Sequence, residues 1–239
     1  MSNNLHARIV STDQDKLKGM VEKFNSDKFN LLQVGEEIFI ESTLFKDLDD
    51  PVAVYTKAEN LLKTFSGLMI LNSGLHNINV SVNGVANLST NEYYLYKVNF
   101  MDLHGSLIVA NETTTAKNPA NNPERWVELF LVDENVKEAF DYARLGLNDP
   151  VIMYSIYEII RKDVNRKFSK ISEKYTNNNA ISSFTGTLND PREIGEVARH
   201  AVPLGKDRMA NPMTLNECSD FIRELLHDWI HYKLTKYNL

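Results

Sequence analysis

The segment that decides the fold starts at Asp49-Asp50-Pro51 and ends at Ile78-Asn79-Val80-Ser81-Val82-Asn83. A carboxylate followed by proline is a helix start, because the carboxylate caps free N–H groups and proline fits the first turn. Behind it Val54, Ala58, Leu61, Leu62, Phe65, Leu68 and Met69 share one stripe, which predicts a long helix ending near Asn72-Ser73-Gly74. The period then changes to two: Ile78, Val80 and Val82 alternate with Asn77, Asn79, Ser81 and Asn83, as in a sheet with one dry face and one wet face. A helix feeding a half-buried strand predicts a small antiparallel sheet with one or two helices packed on it.

Working outward toward the N-terminus, Ala7-Arg8-Ile9-Val10-Ser11 predicts a short strand. Thr12-Asp13 predicts a cap for a helix through Phe24, with Leu17, Met20, Val21 and Phe24 at helical spacing. Residues 37–44 predict a second strand with Ile38 and Ile40 on one face. Toward the C-terminus, residues 92–100 and 106–110 continue the strand signal around a turn at Asp102-Leu103-His104-Gly105. Residues 111–123, rich in Asn, Thr, Ala and Pro, are the expected internal boundary.

Beyond that boundary every signal is helical. Residues 125–132 and 136–145 predict short helices, and Asn148-Asp149-Pro150 opens a helix from Val151 to Ile160 that is apolar nearly all round, as the centre of a bundle requires. Asp190-Pro191-Arg192-Glu193 predicts another helix, burying Ile194, Val197, Ala198 and Ala201. Thr214-Leu215-Asn216-Glu217 is a capping box, with Met213 and Cys218 as a hydrophobic staple, for a last helix running to near Lys236. The fold class expected is α+β: an N-terminal α/β portion with a small antiparallel sheet over residues 1–115, and a C-terminal helical bundle over 124–239.

The chain has 239 residues, 43% of them hydrophobic and 24% charged, the composition of a globular protein and not of a disordered or fibrous one. No apolar run reaches the roughly 18 residues a bilayer demands, and Met1-Ser2-Asn3-Asn4 lacks the features of a secretory signal, so a cytoplasmic location without membrane partners is expected. The single cysteine, Cys218, excludes an internal disulfide and a Cys-rich zinc site, so no cofactor or metal is expected. Charge is uneven. Residues 1–149 hold 13 Lys and Arg against 21 Asp and Glu, a balance of −8, while residues 150–239 hold 13 against 11, a balance of +2. Such acidity argues against a whole-molecule nucleic-acid binder and leaves a local basic patch as the candidate. That patch is Arg161-Lys162-Asp163-Val164-Asn165-Arg166-Lys167-Phe168-Ser169-Lys170, with Arg161, Lys162, Arg166 and Lys167 as binding residues; its simpler reading is cations at the negative end of a helix.

Two further groups carry chemistry. His227 and His231 stand four apart on one helix face with Asp228 between them, close to a zinc-protease pattern whose acid is Glu. A helical wheel places them with Asp220 and Glu224, opposite Cys218, Ile222, Leu225, Trp229 and Tyr232, which predicts a wet, metal-free pair and a buried thiol. Arg199-His200 is the candidate catalytic pair: an arginine can stabilise phosphorane charge while a histidine moves a proton. The simpler reading is a helix surface where Arg199 sits beside Arg192 and Glu196.

The order Asp149-Pro150 to Ile160, Ser183-Phe184-Thr185-Gly186, Ala198-Arg199-His200-Ala201, Asn211-Pro212-Met213-Thr214-Leu215-Asn216-Glu217 and Trp229, with Leu44-Phe45-Lys46-Asp47-Leu48-Asp49 upstream, resembles a family of uncharacterised bacterial proteins. The helical half is loosely similar to HEPN-type domains, which include metal-independent ribonucleases and non-catalytic binders in defence systems. The Arg-to-His spacing of those ribonucleases is absent: Arg192 and His200 are too far apart, Arg223 and His227 too close. The expectation is therefore a non-catalytic bacterial protein that binds a protein partner or small ligand at the junction of its halves. The alternative is a HEPN-like ribonuclease acting on RNA through Arg199 and His200, as a homodimer that brings two centres to one cleft.

Overall fold

The computed structural model describes residues 4–21, 25–26, 28–73, 80–96, 123–176, 179–200 and 210–239. The chain forms two compact units, one of Met1–Leu62 with Asn79–Glu124 and one of Lys63–Ile78 with Arg125–Leu239. The division falls inside one helix, α2 (Pro51–Ser73), whose first twelve residues belong to the first unit.

The first unit is α+β, as its two periods predict. Its six strands are β1 (Leu5–Ser11), β2 (Asn25–Ser26), β3 (Phe29–Val34), β4 (Glu37–Glu41), β5 (Val80–Asn87) and β6 (Glu92–Leu95), in the order β2-β3-β4-β1-β5-β6 with every neighbouring pair antiparallel. The sheet is wider than expected because residues 25–34 add two strands. β4 also differs: Phe39 is buried along with Ile38 and Ile40, so this strand is dry on both faces and does not alternate. Helix α1 (Gln14–Val21) buries Leu17 and Met20, and Phe24 lies outside the described residues. The start of α2 is capped as Asp50-Pro51 predicts, the Asp50 carboxylate accepting from the N–H groups of Val52 and Ala53. Its Glu59 accepts from the Val82 N–H of β5 at 3.0 Å. Residues 97–110, where further strand was expected, and the boundary residues 111–122 lie outside the described residues.

The second unit is helical: α3 (Pro123–Val132), α4 (Glu134–Ala143), α5 (Pro150–Asp163), α6 (Asn179–Asn189), the single turn α7 (Pro191–Ile194) and α8 (Leu215–Tyr237), with the second part of α2. Capping chemistry sets the starts. Asp133, Asp149 and Asp190 accept from the first N–H groups of α4, α5 and α7, and Thr214 with Glu217 closes a reciprocal capping box on α8. Gly67 of α2 sits where an added Cβ would lie 2.1 Å from the Phe140 carbonyl oxygen, so only glycine permits α2 and α4 to approach this closely. Thr64 ties the same crossing by donating to Asp141 at 2.8 Å.

Two expectations for this unit need correction. Helix α5 is not apolar all round in its setting: Met153, Ile156, Tyr157 and Ile160 are buried, while Val151 and Lys162 are exposed and Tyr154, Glu158 and Arg161 are half-buried on an outward stripe. The helix begun at Pro191 ends after four residues, because Gly195 combines φ 69 with ψ −146, a region essentially reserved for glycine. Val197, expected in its buried stripe, is 51% exposed, Ile194 and Ala198 are half-buried, and Ala201 lies outside the described residues.

Candidate functional site

Helix α5 ends in an ordered turn that sets the cations. The Arg166 N–H donates to the Arg161 carbonyl at 2.8 Å and the Asn165 N–H to the Lys162 carbonyl at 3.1 Å, the paired bonds of a Schellman motif with Asn165 (φ 53) in the left-handed position. The Val164 N–H serves the Ile160 carbonyl at 3.0 Å. Three carbonyls at the helix end are thus satisfied by backbone donors, and Arg161 and Lys162 lie in its last turn, where the simpler reading puts cations at the negative end of a helix. Arg166 is itself left-handed (φ 61), a conformation costly for a residue with a long side chain.

The one acid of the run 161–170 does not offset its cations at the surface. Asp163 turns inward and accepts from Lys233 Nζ at 2.6 Å, Trp229 Nε1 at 2.9 Å and Asn135 Nδ2 at 3.1 Å. Lys162, Arg166, Lys167 and Lys170 are all exposed. Arg161, seven residues after Tyr154 and so on the same face of α5, pairs with Glu158 at 2.9 Å.

Arg199 joins this face from outside any helix. Its guanidinium carbon lies 4.0 Å from the centre of the Tyr154 ring, its N–H donates to the Leu188 carbonyl at 2.9 Å, and its Nη1 stands 3.4 Å from Asn189 Oδ1. A cation this close over a tyrosine ring is attracted to its face, and the Arg199 residue remains exposed. The structure therefore sets Arg199 over Tyr154, on the face of α5 where Arg161 follows two turns later. The expected neighbourhood of Arg199 with Arg192 and Glu196 on a helix surface is corrected, because α7 stops before it; Arg192 instead grips Asp190 through Nη2 at 2.5 Å. His200 follows Arg199 in a bend and is half-buried.

The histidine pair of α8 sits close to its predicted place. Their ring centroids lie 4.4 Å apart with the planes tilted by 39°, His231 is exposed, and the His227 side chain, 21% exposed, lies against buried Trp126 at 5.7 Å. Among the described residues no group of three or more His, Cys, Asp or Glu is arranged to hold a metal ion. Asp228 accepts from Lys174 at 2.6 Å and from the Tyr175 hydroxyl at 2.9 Å, which, against the cost of burial, holds its carboxyl below the ordinary value. Cys218 is buried, and burial pushes its thiol up to about 12, so it is no nucleophile.

Sequence inspection misses the buried ion cluster. Lys233 is 1% exposed and bonds Asp133 and Asp163 at 2.6 Å each. Burial alone would push its ammonium down, yet the two carboxylates together outweigh that cost and hold the pKa above the usual lysine value. Burial likewise pushes Asp133 up, and its bonds to Lys233, the Val136 N–H and Tyr237 more than reverse this. A signal was present: on the α8 wheel Lys233 falls about 80° from Leu225, beside Ile222 and Trp229, and a cation on a dry stripe must find an acid.

Compared with family models, curated proteins and solved structures, the chain finds no match.

Proposed function

We propose that this is a non-catalytic cytoplasmic binding protein that captures a phosphate-bearing ligand on the outward face of α5, with Arg161, Lys162, Arg166, Lys167 and Arg199 as its contacts. The observation that carries this reading is the inward turn of Asp163: the run 161–170 presents its cations without its acid. Phosphate favours such a surface, since arginine offers a planar fork of donors and lysine a mobile point charge. The proposal moves the ligand site from the junction of the halves to the helical unit. It also uses the local +2 balance of residues 150–239 in a chain of net charge −6.

The 239-residue chain titrated with fluorescent tripolyphosphate in chelator should bind it, and converting Lys162, Arg166 and Lys167 to Gln should weaken binding at least tenfold. Undiminished binding by that variant would refute the reading. The competing reading, a HEPN-like ribonuclease, rests on Arg199 and His200 standing side by side outside regular helix. Mixed RNA incubated in chelator should remain intact; cleavage that disappears in His200→Ala would favour the nuclease instead.

A further inference from the structure

From the stack of Arg199 on Tyr154 we infer a more specific ligand, one that carries a flat nucleobase as well as phosphate. This inference rests on the binding reading above. Here the guanidinium lies 4.0 Å from the Tyr154 centroid, with its backbone N–H fixed on Leu188 and its side chain beside Asn189. Tyr154 is held in turn, edge to face with buried Tyr157 at 5.6 Å, and Tyr157 stacks on Phe168 at 5.6 Å and 10°. The result is a preorganised platform. The guanidinium carbon lies over the tyrosine ring and the residue is exposed, which leaves the planar, delocalised and weakly hydrated guanidinium open to a base.

The platform and the cations have a matching separation. Tyr154 and Arg161 lie two helical turns apart on α5, roughly 10 Å along its axis. A nucleoside triphosphate reaches across such a gap, and so do about three stacked nucleotides of a single strand at roughly 3.4 Å each. Duplex bases, already stacked on both faces, have none to give. Between platform and cations sits Glu158, paired with Arg161 at 2.9 Å. A phosphate arriving there must displace that carboxylate, so Glu158 weakens binding and sets a threshold of ligand charge.

The test compares adenosine triphosphate with inorganic tripolyphosphate, and a single-stranded oligonucleotide with the same sequence as a duplex, all in chelator on the full chain. Triphosphate nucleotide or single strand should bind about tenfold tighter than its base-free or duplex counterpart, within what base stacking supplies. Arg199→Lys, which keeps the charge and loses the plane, should abolish that preference, bringing the ratio of nucleotide to tripolyphosphate affinity to about one whatever the variant does to phosphate binding itself, and this exposed change does not endanger the fold. Glu158→Gln should tighten every anionic probe two- to fivefold, roughly what removing one exposed ion pair allows. If nucleotide alone shows the preference, the ligand is a free nucleotide; if single strand alone shows it, the ligand is a strand. Equal binding of the nucleotide and tripolyphosphate together with equal binding of single strand and duplex, unchanged in Arg199→Lys, overturns the inference and leaves the phosphate reading standing. Failure of every anionic probe to bind removes both.

Discussion

Lys233 is a sensitive residue of the helical unit, because two carboxylates depend on it. Replacing it with Met removes the partner and leaves Asp133 and Asp163 charged and enclosed, which should cost about 3–5 kcal/mol in denaturant unfolding. The pH dependence follows from the directions of the shifts. The depressed Asp133 carboxyl contributes stability that is complete above the ordinary carboxylate value near 3.9 and is lost as pH falls through its folded value. The raised Lys233 ammonium contributes below the ordinary lysine value near 10.4 and loses that contribution as pH rises through its folded value. Melting temperature against pH should therefore fall at both extremes, and Lys233→Met should flatten the alkaline fall. Gly67 is the second sensitive residue: Gly67→Ala places a methyl 2.1 Å from a carbonyl oxygen and should cost at least about 3 kcal/mol, whereas Gly19→Ala, with open space around it in α1, should leave stability equal or raise it by about 0.5 kcal/mol. The contrast between Cys218 and Lys233 shows which residues a sequence reveals. A thiol on an apolar stripe has one outcome, but the fate of a lysine on that stripe depends on acids 70 and 100 positions earlier, which periodicity does not connect.

At the scale of elements, capping chemistry was the most legible feature. Thr214 and Glu217 form the predicted box, and Thr214→Ala should lower stability by about 1 kcal/mol, with an expected loss of amide protection in the first turn of α8. Helix starts are local, each decided within four residues. Helix ends and strand pairing are not. The cap at Asp190 is correct, yet Gly195 stops the turn that the apolar spacing of Ile194, Val197 and Ala198 seemed to extend. Strand β3 escaped notice because only Phe29 and Leu31 show its buried face, and what fixes it is pairing with β4, Leu31 opposite Ile40. The wheel of α8 gave the right hand and a shifted centre. Cys218, Ile222, Leu225 and Trp229 are buried as expected, but the dry arc extends through Leu226, Ile230 and Leu234, centring it about 60° from the predicted stripe, near Lys233 itself. That shift explains why His227, nearer the dry arc, is half-buried while His231, a turn further on, is exposed, although both rings meet Trp126.

Across the whole molecule, the separation of charge is the feature that links fold to function. The balance of −8 in residues 1–149 against +2 in 150–239 was countable from the sequence, and the basic run 161–170 stood out in it. Hidden from it was the fate of the acid inside that run, because Asp163 faces inward only when α8 delivers Lys233 and Trp229 to it. Among the described residues no helix is long and apolar enough to cross a membrane. The α+β class and the helical second unit were legible because both periods are printed in residues 49–83 and 125–239; the face around Tyr154 was half legible, its cations and Arg199 being named without the ring that joins them. The central claim is that this face holds the ligand, and amide chemical-shift mapping of the isotope-labelled protein during a tripolyphosphate titration tests it most directly. Shifts concentrated in residues 158–170 and at Arg199, saturating together, are the predicted result; saturable shifts centred on any other surface, with that face unmoved, would contradict it.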